Sequence, residues 1–462
     1  MSNHVPRETT ETIAAIATGA GRGGVGVVRV SGKGLMPLVE KICGKAPSPR
    51  VATHVVFRDS AGRPIDNGLV LFFSAPRSYT GEDVVELHGH GGPAVLGNIL
   101  RRCLQLGCRL ARPGEFTERA FLNDKLDLAE AEAVADMIEA GSAEAAMSAA
   151  QTLTGEFSRR IHGLTDALID LRMHVEACID FPEEEIDPAD RLAQARKLKH
   201  IQRLETDLAR EAALGRVLRD GLTVVLIGRP NVGKSSLLNR LAGEELAIVT
   251  PIPGTTRDHV RATVHLDGVP IHLIDTAGLR DTDDEVERIG IDRTWAAIAK
   301  AGAALLISEA GEMTGVDEAE ILRRLPGGLP VAWVYNKIDL FRPTKVSRET
   351  PVVAGLEKQV ALSVSALTGE GVDDLRAWLL AVAGWQTGAE GVFLARERHL
   401  AALRLADGDL SQTITLARQD EIGLLARAAA AIQTSVQRLV ADADRLARAA
   451  VDGKLATRAD AA

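Results

Sequence analysis

The sequence predicts a multidomain α+β protein: an N-terminal α+β domain, then a helical domain split in sequence, with an α/β domain inserted into it. Three observations predict this architecture. Short apolar runs separated by turn residues fill residues 1–120. Ala-, Leu- and Glu-rich helical patterns occupy 121–215 and 384–462. Between them, in 216–383, apolar β-type runs alternate with helical patterns, which favours a parallel sheet covered by helices.

The composition is that of an ordinary globular protein, with 46 % hydrophobic and 25 % charged residues among 462. No apolar run reaches the roughly 18 residues needed to cross a membrane, and the N-terminus lacks a signal-peptide pattern. The four cysteines show no paired spacing, which argues against a disulfide framework or a zinc site. We therefore expect a cytoplasmic protein without membrane association. Because its net charge is −9, any RNA must be held by a local basic patch or by a partner.

In the N-terminal domain, strands are predicted at 25–32, 67–73 and 83–92, and a helix at 95–107 that ends at Gly107. The helical domain begins with apolar residues that recur at i, i+3 and i+4. An acidic turn at 180–190 interrupts these helices, and a second helical run then continues to Gly221.

The inserted domain carries a phosphate-loop motif. Residues 228–235 read GRPNVGKS, which fits GxxxxGKS, and they follow an apolar strand and precede a helix. Backbone N–H groups of such a loop surround a β-phosphate. Lys234 supplies charge to the β- and γ-phosphates, and the Ser235 hydroxyl is a magnesium ligand. The predicted nucleotide contacts of this loop are Asn231, Val232, Gly233, Lys234, Ser235 and Ser236.

Two further motifs select the nucleotide. Asp275, Thr276, Ala277 and Gly278 follow a strand about forty residues after the phosphate loop, where the aspartate reaches magnesium through water and the Gly278 N–H senses a γ-phosphate. Farther along, a carboxylate at Asp339 accepts from guanine N1–H and its 2-amino group, which adenine lacks. The expected base-binding residues are Asn336, Lys337, Asp339, Ser365 and Ala366. The pattern predicts GTP binding.

One position departs from the Ras-type switch. There, a glutamine follows the glycine of the second motif and orients the attacking water. Here that position is Leu279. Hydrolysis must therefore use another water-positioning group and another source of positive charge.

Long segments of the chain resemble the MnmE (TrmE) family of tRNA modification GTPases, from about residue 11 to 404. The resemblance includes GRGGVGVVRVSG and ARPGEFTERAFLNDKLDLAEAEAVADMI in the first half, and AIVTPIPGTTRD and DTAGLRDTDDEVERIGI in the second. It implies an enzyme that acts with the flavoprotein MnmG to install a carboxymethylaminomethyl group on the wobble uridine (U34) of tRNA. It also implies a homodimer, and a heterotetramer with MnmG.

The resemblance implies ligand roles as well. The N-terminal domain would bind 5-formyltetrahydrofolate or a related one-carbon folate through Arg29, Glu86 and Lys125. GTP hydrolysis would be activated by K⁺, with Lys234 and Glu287 as the catalytic residues. Glu287 would orient the water through a bridging water. The segment after the phosphate loop would contact GTP through Thr250, Pro251, Ile252, Pro253, Gly254, Thr255 and Thr256. Among these, K⁺ would be held by Asn231, Thr250, Ile252 and Thr255, and Mg²⁺ by Ser235 and Thr256.

The last 58 or so residues, after Arg404, depart from the family pattern. They resemble the HAMP-type helices of a chemotaxis receptor, with Gly-Asp-Leu, Asp-Glu-Ile-Gly and an apolar stripe at Ile422, Leu425, Ala429, Ile432, Val436 and Leu439. The alternative is that they are drifted helices of the same bundle. The family's C-terminal cysteine has no counterpart after Cys178. Two functions therefore stay open: an active tRNA-modifying GTPase, or a GTP-dependent switch or scaffold that cannot complete the modification.

Overall fold

A computed structural model describes residues 11–180, 188–229, 231–242, 260–275, 299, 301–310, 325–340, 359–385, 393–394 and 396. The chain divides into two compact units, Met1–Ala135 and Asp136–Ala462.

The elements of the first unit alternate strands with short helices. In chain order they are β1 Ile13–Ile16, β2 Gly23–Gly32, α1 Met36–Cys43, β3 Thr53–Arg58, β4 Pro64–Phe73, β5 Asp83–Gly91, α2 Pro93–Gln105, β6 Arg109–Leu110 and α3 Glu115–Leu122. The six strands form one sheet in the order β3-β4-β5-β2-β1-β6. Alternate residues of β2 and β5, such as Val28 and Leu87, enter a core with α1 and α2. The opposite face carries Arg29 and Glu86, which are paired directly across β2 and β5.

A buried charge network stabilises this unit. Glu115 is 2 % exposed and accepts hydrogen bonds from the Arg109 and Arg119 guanidinium groups, at 2.7 Å and 3.3 Å. Arg119, 1 % exposed, also donates to Glu82 at 2.8 Å. The Arg109 guanidinium holds the pKa of Glu115 at about 2. Opposite charges at hydrogen-bond distance compensate here for the cost of burial.

Four helices follow α3. The first of them crosses the boundary between the two units, and the other three belong to the second unit. They are α4 Leu128–Glu139, α5 Ala143–Leu153, α6 Glu156–Asp180 and α7 Pro188–Asp220. Proline is favoured at the first position of a helix, so the α7 start at Pro188 follows from its fixed φ and missing N–H. The long α7 then continues through Gly221 into a strand.

The second unit contains a six-stranded sheet. Its elements are β7 Leu222–Ile227, α8 Lys234–Ala242, β8 Val260–Leu266, β9 Val269–Asp275, β10 Ala303–Glu309, β11 Val331–Asn336, a 3₁₀ turn Ile338–Leu340, β12 Gln359–Ser363 and α9 Val372–Ala383. The strand order is β12-β11-β10-β7-β9-β8. All neighbouring pairs are parallel except β8 and β9.

The antiparallel pair refines the sequence prediction. The alternating apolar runs of 216–383 predict a parallel sheet, but residues 265–275, HLDGVPIHLID, contain a hairpin turn at Asp267 and Gly268, with φ of 47° and 81°. An Asp-Gly pair is typical of two-residue hairpin turns, since both positions need positive φ.

Candidate functional site

The loop between β7 and α8 has the backbone of a phosphate-binding loop in its described residues. Gly228, Asn231 and Gly233 have φ of 157°, 67° and 93°. A Cβ atom on Gly233 would lie 2.2 Å from Asn336 Nδ2, and one on Gly228 would lie 2.3 Å from the carbonyl oxygen of Ile307. Both positions therefore require glycine, because only glycine allows this close approach of the backbone.

Lys234 begins α8, and its ammonium group lies over the loop that precedes it. Nζ donates to the Gly228 carbonyl and, at 3.2 Å, to the Arg229 carbonyl, and the residue is only 8 % exposed. Ser235 and Ser236 are exposed in the first helical turn. Backbone N–H groups at a helix start lack intrahelical partners and favour an anion. The loop thus concentrates a cation, helix N–H groups and two hydroxyls at one end of the sheet.

Asn336 connects this loop to a second loop after β12. It is 1 % exposed; its Nδ2 donates to the Val232 carbonyl at 2.9 Å, and its Oδ1 accepts from the Ala366 N–H at 3.0 Å. One side chain therefore satisfies a backbone acceptor of the phosphate loop and a backbone donor of the other loop.

Asp339 lies at the mouth of the same site. It is exposed, and its Oδ1 accepts a 2.5 Å hydrogen bond from the Ser365 hydroxyl, whose residue is fully buried. Lys337, with a φ of 65°, forms an ion pair with Glu309 at the end of β10. The Asp339 carboxylate is thereby held at the surface next to the loop at 365–366. Such a carboxylate can accept from two N–H donors of a planar base.

Two residues that the sequence analysis did not identify hold these loops. Arg240, two turns into α8, donates to the Ala366 carbonyl at 3.1 Å and also to the Leu367 carbonyl. Glu309 pairs with Lys337, as described above. Neither residue belongs to a motif, and their contacts join positions 126 and 28 residues apart. Only a three-dimensional structure could identify them.

Asp275, which ends β9, pairs in register with Leu226 of the parallel strand β7. Because parallel strands end at one edge of a sheet, Asp275 lies at the edge where the phosphate loop starts at Gly228. A hydroxyl is an oxygen ligand of the kind Mg²⁺ takes, so Ser235 fits this ion. The other predicted residues lie outside the described part of the chain: Thr250, Pro251, Ile252, Pro253, Gly254, Thr255, Thr256, Thr276, Ala277, Gly278 and Glu287.

A second cluster lies on the face of the N-terminal sheet opposite the core that contains α1 and α2. Arg29 donates to Glu86 Oε1 through Nε at 3.0 Å and Nη2 at 2.8 Å, and His88 Nε2 lies 3.2 Å from Glu86 Oε2. The Arg29 guanidinium is 5.2 Å from the centroid of the Tyr79 ring and 5.7 Å from that of Phe116. His88 is a further member of this site that the sequence analysis missed.

Lys125 lies between α3 and α4, next to the loop that carries Tyr79. Its side chain is exposed, and its stem lies against Gly81, two residues after Tyr79. Asn123 holds this segment by donating to the Thr80 carbonyl at 2.6 Å. The loop at 79–81 thus contacts both Arg29 and Lys125. Aromatic rings, two cations and a carboxylate are groups that suit a flat heterocycle with an anionic tail.

The site between the phosphate loop and the loop at 365–366 defines a class of protein. It has the parts of a P-loop GTPase: a glycine loop with a buried lysine, an aspartate at the neighbouring strand end, a surface carboxylate, and a buried asparagine that joins the two loops.

Comparison with known proteins identifies the family within this class. The family model "GTP-binding protein TrmE N-terminus" matches residues 12–125, and the model "MnmE helical domain" matches 128–447. The tRNA modification GTPase MnmE of Neisseria meningitidis is 55 % identical over 411 residues, which covers 89 % of each chain. The MnmE of Burkholderia ambifaria is also 55 % identical, over 89 % of this chain and 90 % of its own.

The chain belongs to the MnmE family of tRNA modification GTPases. It is therefore an enzyme that hydrolyses GTP and acts in tRNA modification, and it binds GTP and tRNA. Across the residues with described structure, no helix is both long and apolar enough to span a membrane.

The extent of the helical-domain match bears on the C-terminal residues. It continues to residue 447, beyond Arg404, where the sequence departs from the family pattern. The alignments with the two MnmE proteins, in contrast, cover 89 % of this chain. The residues after 396 lie outside the described structure.

Proposed function

We propose that this protein is a K⁺-activated GTPase that acts with the flavoprotein MnmG to place a carboxymethylaminomethyl group on the wobble uridine of tRNA. Support comes from membership of the MnmE family together with one structural observation. Asn336 joins the phosphate loop to the base loop through two hydrogen bonds, so a guanine nucleotide would meet a site that is already assembled.

The chain's own groups account for binding and charge stabilisation. Lys234 neutralises charge on the β- and γ-phosphates, the N–H groups at the start of α8 hold the phosphate oxygens, and Asp339 accepts from the guanine base. Ser235 and Thr256 would hold Mg²⁺, with Asp275 reaching it through water. When bound, this ion supplies further positive charge to the phosphates.

Hydrolysis also needs a positioned water and positive charge beyond that of Lys234 and Mg²⁺. Leu279 replaces the water-orienting glutamine, so we assign water positioning to Glu287. Asn231, which is exposed in the phosphate loop, would hold K⁺ together with Thr250, Ile252 and Thr255. When bound, K⁺ supplies the transition-state charge that an arginine finger provides elsewhere.

Single-turnover GTP hydrolysis in KCl and in NaCl of equal ionic strength tests this assignment. We expect fast hydrolysis in K⁺ and slow hydrolysis in Na⁺, because the smaller ion leaves the oxygen ligands underpacked. Asn231→Gly fits the left-handed φ of 67° without strain and removes the amide oxygen. This variant should lose the K⁺ stimulation while its GDP affinity stays within about threefold of wild type. Equal rates in the two salts would exclude K⁺ activation.

We also propose that Arg29, Glu86 and Lys125 bind 5-formyltetrahydrofolate or a related one-carbon folate. The cations suit the glutamate tail, and the carboxylate suits the donor edge of a pterin. Calorimetric titration with 5-formyltetrahydrofolate should show at least tenfold weaker binding to Arg29→Ala. Arg63→Ala, at an exposed arginine of the same domain, is the matched control and should bind normally. Equal affinities for both variants would remove Arg29 from the site.

The modification itself requires a test in cells. Mass spectrometry of wobble uridines should detect the modified base in tRNA from a strain whose only enzyme of this family is this protein. Co-purification with MnmG as a heterotetramer, built on a homodimer of this chain, is the accompanying expectation. Hydrolysis of GTP without modified uridine would favour the alternative of a GTP-dependent switch or scaffold.

A further inference from the structure

The hairpin formed by β8 and β9 occupies a special place in the chain. It follows the predicted GTP- and K⁺-binding segment at 250–256, and it ends at Asp275, where the segment 275–278 begins. Any rearrangement that these segments undergo when the nucleotide changes therefore acts on the two open ends of one hairpin. Its closed end is the two-residue turn Asp267–Gly268.

That turn is hydrogen-bonded to the start of helix α5. The Ser142 hydroxyl donates to the Gly268 carbonyl at 2.9 Å, across 126 residues of sequence. The same oxygen accepts from the Ala145 N–H at 3.1 Å and thus caps α5. A single hydroxyl group consequently fixes the position of the turn and satisfies the first turn of the helix.

Close packing reinforces this hydrogen bond. A Cβ atom on Gly268 would lie 2.6 to 2.8 Å from side-chain atoms of Glu144, and one on Gly141 would lie 2.6 Å from His265 Nε2. On the other side of the turn, Arg376 of α9 donates to Asp267 at 2.8 Å. With neighbours this near, the turn has little room to move alone.

The strands behind the turn share a core with the helices. Leu266 and Val269, which pair at the end of the hairpin, belong to the same buried cluster as Ala149 of α5 and Leu214 of α7. A shift of the hairpin must therefore be accommodated by the start of α5 and by α7, because densely packed interiors transmit displacements rather than absorb them.

From this geometry we infer that the Asp267–Gly268 turn and Ser142 form the connection through which a change of bound nucleotide alters the position of helices α5 and α7. Ser142 is a positioning residue: it contacts the hairpin turn and caps α5, and it transmits the position of the hairpin to that helix. Such coupling typically changes an equilibrium about 5- to 150-fold. The inference goes beyond the proposed function, since it requires guanine-nucleotide binding but neither K⁺, folate nor MnmG.

Hydrogen exchange of the full-length chain, with GDP and with a non-hydrolysable GTP analogue, tests the connection. In wild type, amides in the first turn of α5 should exchange at rates that differ at least about fivefold between the two nucleotides. Ser142→Asp retains a helix cap but has no hydrogen to donate to the Gly268 carbonyl. Ser142→Asn has nearly the same shape and can both cap and donate.

We expect Ser142→Asp to lose most of the nucleotide-dependent difference and Ser142→Asn to retain it, with nucleotide affinities of both within about threefold of wild type. Ser142→Gly, which removes the hydroxyl at little cost to the cap, replaces the aspartate variant if that variant fails to fold. No nucleotide-dependent difference in wild type would overturn the inference. An equal nucleotide-dependent difference in the Asp and Asn variants would also overturn it, because the hydrogen bond to the Gly268 carbonyl would then not be needed for the coupling.

Discussion

Replacing Asn336 with alanine tests whether the nucleotide site is assembled before the nucleotide arrives. The side chain is 1 % exposed and connects the Val232 carbonyl to the Ala366 N–H. Alanine removes both hydrogen bonds and leaves a buried acceptor and a partly buried donor without their partner. The two loops then hold their relative position less firmly, so nucleotide binding must order them.

The size of the effect follows from the cost of unsatisfied groups. Each costs about 1–3 kcal/mol when buried, and water can reach the Ala366 N–H more easily than the Val232 carbonyl. We therefore expect a total of about 2–4 kcal/mol. At about 1.4 kcal/mol per factor of ten, affinity for GDP and GTP should fall roughly thirty- to a thousandfold. Most of the change should appear in the dissociation rate, as is usual for variants of one site.

Stopped-flow measurements with a fluorescent guanine nucleotide give both rate constants. Leu367→Ala is the matched control: it shortens a side chain that is 76 % exposed in the same loop, and it should change affinity by less than about twofold. A folded Asn336→Ala protein whose affinity is within threefold of wild type would refute the assembled-site explanation. So would a large loss of guanine-over-xanthine selectivity, since that property is assigned to Asp339.

Three further predictions concern single carboxyl groups. Asp339→Asn should shift preference from GTP toward xanthosine triphosphate in competitive titrations, because an amide then faces the base's 2-amino group; unchanged selectivity would exclude Asp339 as the base reader. Glu287→Ala should lower single-turnover hydrolysis about a hundredfold with near-normal binding, as expected for one positioned acid–base group; a parallel loss of binding would indicate a structural role. Since the pKa of Glu115 is about 2 in the folded protein and 4.5 as its ordinary value, its stabilisation is present above pH 4.5 and lost as pH falls toward 2. Glu115→Gln should therefore cost about 3 kcal/mol at pH 7 and little near pH 2, measured by hydrogen exchange in the N-terminal sheet; a cost independent of pH would contradict this.

The sequence was most informative where local chemistry determines the structure. The phosphate loop could be predicted because GxxxxGKS stands between an apolar run and a helical pattern, and Asn336 could be proposed as a base-binding residue because it ends an apolar run. The helical segments followed from apolar periodicity, which reports a buried face directly. The fold class predicted in this way is confirmed by the family matches.

Contacts between distant residues could not be predicted in the same way. Glu309 completes its cluster only because the sheet order places β10 beside β11, which brings Glu309 next to Lys337. The two-residue periodicity of a strand places His88 and Glu86 on one face of β5, but it does not predict that their side chains contact each other. The hairpin at Asp267 carried a local signal, its Asp-Gly pair, which the continuous apolar pattern around it obscured.

Asp136 contacts both the segment before and the segment after the nucleotide-binding sheet. Its carboxylate is 3.1 Å from Arg219 Nε, just before β7, and 3.4 Å from an Arg396 nitrogen, well after α9. Beside it, the Leu394 N–H donates to Thr152 at 3.0 Å, and the ring centroids of Phe393 and Phe157 are 4.9 Å apart. The segments before and after the sheet are thus held against the same helices. Because both ends are held there, we expect any nucleotide-driven motion inside the inserted region to act on the helices through a contact other than its two connections. Among the described residues, the hydrogen bond from Ser142 to the hairpin turn is such a contact.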